Sequence, residues 1–204
     1  MIVIVSLEIF FSNIIYNMNV INFKKLNSTN DFSKSNIDKL QNFDVVSTDI
    51  QTSGHGQWGR VWLDIGNENI YLSIILKPDF DYKNLYSEIV RYTAVCVCET
   101  FVEYGLEPNI KLPNDVMIKG KKISGILAEA VTKGETLKGI IVGVGINLNA
   151  STDDYKKIDQ PVTALNLELN QKVDKNKFMD LFLNRFENNY PDFLKHGVNL
   201  KSFL

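Results

Sequence analysis

The chain has 204 residues, 45% hydrophobic and 23% charged, the composition of a soluble globular protein that can bury a full core without disulfide or metal staples. A formal net charge of −2 supplies no global positive field, so only a local basic patch could hold nucleic acid and no such partner is expected. Two cysteines, Cys96 and Cys98, and two histidines, His55 and His196, do not make a zinc site, and no resident metal ligands are predicted.

The amino terminus, MIVIVSLEIFFSNIIYN, is apolar but carries Glu8 and no Lys or Arg before Lys24. It lacks the basic region and small-residue cleavage site of a signal peptide, and its apolar run is short for a membrane span. We read 1–17 as an extension ahead of a domain over 18–204, with a signal anchor as the alternative and no membrane partner expected. Residues 19–26 predict a strand. STNDFSKSNIDKL predicts a helix capped by Ser28 or Thr29. FDVVSTDIQ reads as a strand entering a glycine-rich loop, and NIYLSIILKP as a long apolar strand closed by Pro78.

Residues 83–104 repeat apolar side chains at helical spacing, with Leu85, Ile89, Tyr92, Val95, Cys96 and Val102 in the stripe. The C-x-C pair there sends its thiols to different faces. Both read as buried structural thiols, a usage that fits a reducing cytoplasm. NIKLPNDVMIKGKKISGILAEAV predicts a strand, a turn and a hairpin around Lys119-Gly120-Lys121. LKGIIVGVGINLN is apolar enough to be a strand buried on both faces. Residues 174–195 form an amphipathic helix with Phe178, Leu181, Phe182, Phe186 and Tyr190 in its stripe. Hairpins separated by two long helices indicate an α+β fold: a mixed, mainly antiparallel sheet with helices packed on one side.

Four segments carry more polar chemistry than packing requires. Ser28, Thr29 and Asn30 bring two hydroxyls and an amide to a strand-to-helix junction, where a plain N-cap is the alternative. DIQTSGHGQWGRVW, residues 49–62, is neither a phosphate-binding P-loop nor a dinucleotide fingerprint, because no G-K-[ST] and no helix follow its glycines. Its bare backbone N–H groups still suit anionic oxygens, and Gln51, Arg60 and Trp62 add an amide, a fixed charge and a stacking face. A flexible surface loop is the alternative, although Trp58 and Trp62 would be costly to leave idle. Lys122, at the start of the buried strand ISGILA, needs an anion partner unless it merely solvates the hairpin tip with Lys119 and Lys121. Asn114-Asp115 after Pro113 reads equally as a turn. In GVGINLN, glycines inside a buried strand mark close approach by a backbone or ligand, and Asn147 sets an amide at the strand end.

The order STN, QT-G-G--GR-W, PND----GKKI-GIL-E and G-GIN-N resembles the catalytic domain of biotin protein ligases, from about residue 22 to 190. The resemblance implies the class II synthetase and biotin-lipoate ligase type of fold. It implies an ATP-dependent enzyme that forms biotinyl-5′-AMP with Mg²⁺ and passes the biotinyl group to a lysine of a biotin carboxyl carrier protein. By the same resemblance, Lys122 and Arg60 stabilise charge during catalysis. Ser28, Thr29, Asn30, Gln51, Gly54, His55, Gly56, Gln57, Lys122, Gly125, Leu127 and Gly143 bind biotin. Arg60, Trp62, Asn114 and Asn147 fall on the nucleotide side.

Three departures stand out. Gln57 occupies a place where the family loop usually has arginine, Leu112 replaces a tryptophan, and the small carboxy-terminal β-barrel is not expected in 18–204. Nor is an amino-terminal helix-turn-helix, and a homodimer is left open. A lipoate or octanoate ligase, or a descendant that binds biotin without transferring it, are the competing readings.

Overall fold

Residues 18–64, 68–78 and 83–204 are described in the computed structural model; the expected extension over 1–17 and the side chain of Leu85 lie outside them. The described residues open with strand β1 (Asn19–Leu26), helix α1 (Thr29–Ser35) and strand β2 (Asp44–Gln51). A small hairpin follows, β3 (Gly54–His55) and β4 (Val61–Trp62), and then β5 (Ile70–Leu76). Helix α2 (Lys83–Glu103) leads into β6 (Pro108–Lys111), β7 (Asp115–Ile118), β8 (Lys121–Lys133) and β9 (Thr136–Ile146). Two more helices close the chain, α3 (Leu165–Leu169) and α4 (Lys175–His196).

Among the described residues, seven strands make one sheet in the order β1-β2-β5-β9-β8-β7-β6. Only β1 and β2 pair parallel, joined across α1; the other neighbours are antiparallel. The expected α+β class and mixed sheet are therefore present. The two long helices share one face of the sheet, as expected, and the short α1 packs on the other. The cause lies in β9, whose alternate residues face opposite ways. Ile140, Val142, Val144 and Ile146 join the large core with Phe101, Phe178, Phe182 and Phe186 from α2 and α4. Burying each of those phenylalanines contributes about 1.5–3 kcal/mol. Tyr92 and Phe193 stack across the helix pair with ring centroids 4.3 Å apart.

On the opposite face Ile141 joins Ile37, Leu40, Val46 and Ile75 in a smaller cluster under α1. The other β9 residues of that face are Gly139, Gly143 and Gly145. A side chain at Gly143 would overlap the Asn30 carboxamide, and one at Gly145 would lie 2.6 Å from the Trp62 ring. The glycines thus leave a trough in an otherwise apolar sheet face, roofed by α1 and the β3–β4 hairpin. The close approach expected of these glycines is made by two side chains of the chain itself, Asn30 and Trp62.

Of the two candidate caps for α1, Ser28 is the one used, and Asp174 caps α4. Ser28 is extended and its hydroxyl accepts from the Asp31 N–H, starting α1. The Asp174 carboxylate accepts from the Asn176 and Lys177 N–H groups, starting α4. Among the described residues, no helix is long and apolar enough to cross a membrane.

Candidate active site

The trough opens into a cleft of about 750 Å³, its open mouth included. Its floor comes from two rows of the sheet. In one row Ser73 of β5, Gly143 of β9 and Leu127 of β8 stand side by side; in the next stand Tyr71, Gly145 and Gly125. Asn30 lies over the first row and Trp62 over the second. Every predicted site residue lines this cleft except Gly54 and Asn147.

One end is polar and nearly closed. Ser28, Thr29, Asn30 and Gln51 are all buried. Gln51 Oε1 accepts from the Thr29 N–H at 3.0 Å and the Thr29 hydroxyl at 3.4 Å, which uses both lone pairs and leaves the amide NH₂ as its remaining capacity. The Ser73 hydroxyl lies 2.6 Å from Asn30 Oδ1 and 2.8 Å from the Thr29 hydroxyl. Ser28 spends its side chain as the α1 cap, so the plain N-cap reading and the cleft-lining reading both hold for it.

The other end is cationic. Lys122 Nζ sits 2.7 Å from Asp115 Oδ1, with only 14% and 16% of the two side chains exposed. The same ammonium lies 5.2 Å from the Trp62 ring centroid, within cation–π reach. Lys122 therefore has the anion partner its burial demands, and it is not one of the lysines solvating the hairpin tip. Arg60 is exposed at the mouth, and its guanidinium forms no ion pair among the described residues. Trp62 carries a buried indole N–H with no hydrogen-bond partner among the described residues. An unpaired buried donor costs about 1–3 kcal/mol, a debt a ligand acceptor would cancel.

A second, smaller cavity of about 360 Å³ adjoins the first. Trp62, Lys122 and Gln160 line both, and Asn147 lines only this one. The Asn147 amide is largely spent inside the fold, donating to the Thr163 carbonyl at 3.0 Å. Asn114 lines the main cleft, but its side chain donates to the Ile126 carbonyl at 3.0 Å and its own carbonyl accepts from the Ile126 N–H. It pins β8 beside the site.

The glycine-rich loop is the β3–β4 hairpin with one turn of 3₁₀ helix between its strands. Gly54 packs so tightly that a Cβ would lie 2.5 Å from Gln51 Nε2, and Gly59 has φ +72°. Two of the loop glycines are thus required by the hairpin's own geometry. His55, Gly56 and Gln57 face the cleft. His55 lies 3.6 Å from Glu129 and 3.8 Å from Asp31, within ion-pair reach when protonated. Trp58, expected to be in use, is 88% exposed with φ 61°, because it sits at the outer corner of the turn.

Several site residues were not picked out from sequence. Asp115 stands in the quoted PND, which reads equally as a turn, and the resemblance gives it no role of its own. Ser73 had a signal, a lone serine inside the apolar run YLSIIL. Gly145 lies in the quoted G-GIN-N and Glu129 ends the quoted GIL-E, although the resemblance gives neither a role; Gln160 carries no local signal that sets it apart.

Residues 20–147 match the family model described as the biotin/lipoate A/B protein ligase family. The chain is 33% identical over 155 residues to the bifunctional ligase/repressor BirA of Bacillus spizizenii, covering 75% of this chain and 47% of that protein. It is 28% identical over 143 residues to the biotin--[acetyl-CoA-carboxylase] ligase of Paracoccus denitrificans, covering 67% and 58%. The chain thus spans about half the length of the curated relatives it matches. Among solved structures, the biotin protein ligase from Aquifex aeolicus in complex with biotin and ATP superposes with a TM-score of 0.76 at 27% identity, covering 87% of this chain and 72% of that one.

Proposed function

The chain belongs to the biotin/lipoate A/B protein ligase family, and from that premise we propose that it is a biotin protein ligase. It joins biotin and ATP into biotinyl-5′-AMP, releasing pyrophosphate, and passes the biotinyl group to a lysine amine of a biotin carboxyl carrier protein, releasing AMP. One observation carries the reading: two adjoining cavities meet at a largely buried cation, Lys122, whose side chain is 14% exposed. The larger has amide and hydroxyl groups at its closed end, suited to a ring with N–H and C=O edges. The smaller joins it across Lys122 and Trp62, where the second substrate's α-phosphate would meet the first's carboxylate.

Carboxylate attack on a phosphate brings two anions together, so the barrier is lowered by positive charge already in position. Lys122 supplies it, and Asp115 holds the ammonium in place through the 2.7 Å ion pair. Arg60 adds a second charge at the mouth, and the Trp62 indole N–H is available to an oxygen acceptor. Leu127 and the sheet floor at Gly125 and Gly143 offer an apolar channel for the valeryl chain. The hairpin over the mouth would keep water from the acyl adenylate, which otherwise hydrolyses.

Among the described residues no three His, Cys, Asp or Glu gather to hold a metal. The one carboxylate lining the cleft is Asp115, which fits Mg²⁺ arriving on the triphosphate as part of the substrate. That ion would neutralise phosphate charge during the displacement.

The test is incubation with α-labelled MgATP and biotin or lipoate, then with a carrier domain. Adenylate made from biotin but not lipoate, followed by label-free biotinyl transfer to the carrier, is the expected result. Adenylate from lipoate alone overturns the substrate, and biotin binding without adenylate overturns the activity.

A further inference from the structure

Glu129, on β8 beyond the floor of the cleft, bears on which ligand the closed end accepts. Its two carboxylate oxygens are used separately. Oε1 lies 3.0 Å from Lys34 Nζ; Oε2 accepts from Asn30 Nδ2 at 2.7 Å and lies farther, 3.6 Å, from His55 Nε2. Lys34 in turn pairs with Asp31 at 2.7 Å. Asn30 Nδ2 also donates to the Leu127 carbonyl at 3.4 Å. Both Asn30 N–H groups are therefore committed, and one lone pair of its oxygen lies toward Ser73. What remains is one acceptor lone pair.

A carboxylate can only accept, so Glu129 admits one of the two orientations of the Asn30 amide, the one that turns Nδ2 toward it. We infer that Glu129 is a positioning residue that locks Asn30 as an acceptor, so that the closed end selects a ligand whose ring carries an N–H. Gln51, held by Thr29 in the opposite sense, presents donors. An acceptor beside a donor matches the N–H and C=O edges of a cyclic urea and offers nothing to a dithiolane ring, which has neither. The inference rests on the biotin reading above and adds the residue that sets the polarity of the pocket.

The experiment measures biotin Kd by calorimetry, and kcat and KM for biotin, in the whole chain and in E129A, E129Q, N30A and the double variant E129A/N30A. E129A is expected to weaken biotin about tenfold, in KM and not kcat, because the part-buried charge-assisted hydrogen bond that orients Asn30 is lost. E129Q, whose amide can accept from Asn30 but can also donate to it, recovers only part of that loss. The double variant binds no worse than N30A, because Glu129 acts through Asn30. A folded E129A that binds biotin as the unmodified chain does, or additive losses in the double variant, overturns the inference while leaving the biotin reading intact. An unmodified chain that does not bind biotin overturns both. If E129A does not fold, E129Q carries the test by NMR: the Asn30 side-chain amide protons move when the carboxylate becomes an amide, and unmoved resonances overturn the inference.

Discussion

Gly143→Ala tests whether the trough in the sheet is what makes room for the ligand-facing amide. Gly143 stands on β9 with Asn30 directly over it. A Cβ there would overlap Asn30 Oδ1 and lie 2.9 Å from both Cγ and Nδ2. Carbon atoms prefer about 3.5–4.0 Å, so Asn30 must shift by roughly 0.6 Å or more. It is held by contacts of 2.6 Å to Ser73 and 2.7 Å to Glu129, which a shift of that size stretches or breaks. The overpacking costs about 1–3 kcal/mol, against roughly 0.5–1 kcal/mol returned by replacing a strand glycine with alanine.

Stability therefore falls by at most about 2.5 kcal/mol, whereas losing one Asn30 hydrogen bond to the ligand costs about 1–1.5 kcal/mol, near tenfold in affinity. Calorimetric biotin titration and thermal melting read the two effects separately. Gly139→Ala is the control. It sits on the same face of the same strand, where a Cβ meets Ile37 Cδ1 at 2.9 Å and the Leu76 carbonyl at 3.0 Å, away from the cleft. It should lose stability and keep biotin affinity. Unchanged biotin affinity in G143A, or an equal affinity loss in G139A, refutes the reasoning.

Lys122→Met removes the cation between the two cavities and strands a nearly buried Asp115. Pyrophosphate release should fall about 10²–10³-fold while biotin still binds, and a rate within a few-fold of the unmodified chain would dismiss Lys122 as the charge that matters. Gln57→Arg restores a cation to the loop wall, and charge-assisted hydrogen bonds are about twice as strong as neutral ones. Release of biotinyl-adenylate should slow, which trapping with excess unlabelled ligand would measure. Glu168 is partly buried, which works against its charge, yet the Thr163 hydroxyl at 2.7 Å and Lys119 at 3.1 Å outweigh this and hold its carboxyl below the usual range. A lowered folded pKa contributes stability above the unfolded value, near pH 4.3 or so, and loses it as pH falls through the lowered one. Denaturant midpoints of the unmodified chain and E168Q should therefore converge below about pH 4. Burial raises both thiols, Cys96 to about 12. Neither cysteine should be alkylated at pH 8 until the chain is unfolded, and rapid native labelling would contradict their burial.

Most of the scaffold was legible in the chain because its signals are local. Ser28 caps a helix where the sequence places one, the helix expected over 174–195 is present with Asp174 as its cap, and β-branched runs define β2, β5 and β9. The side of the sheet on which α1 lies was not legible. It depends on Gly139, Gly143 and Gly145 sharing a face, and glycine spacing two apart reads as emptiness until something is known to fill it. The candidate site divides along the same line. Residues distinguished by type, such as Lys122, Gln51 and Arg60, could be named from the sequence, since buried charge and amide groups demand partners. Asp115 could not, because P-N-D is also an ordinary turn; only the strand pairing that sets Asp115 opposite Gly125 brings it to Lys122.

The polarity of the closed end is less legible still, and it matters most for specificity. Asn30 and Gln51 carry the same functional group, so composition assigns them the same chemistry. Their surroundings assign opposite roles. A backbone N–H fixes the oxygen of Gln51, and a carboxylate 99 positions away along the chain fixes the nitrogen of Asn30. An amide is ambivalent only while its neighbours are unknown. Once Thr29 and Glu129 are in contact with them, one residue can only donate and the other can only accept. A pocket built from two identical groups thereby acquires a direction, and that direction distinguishes a cyclic urea from a ring that cannot hydrogen-bond.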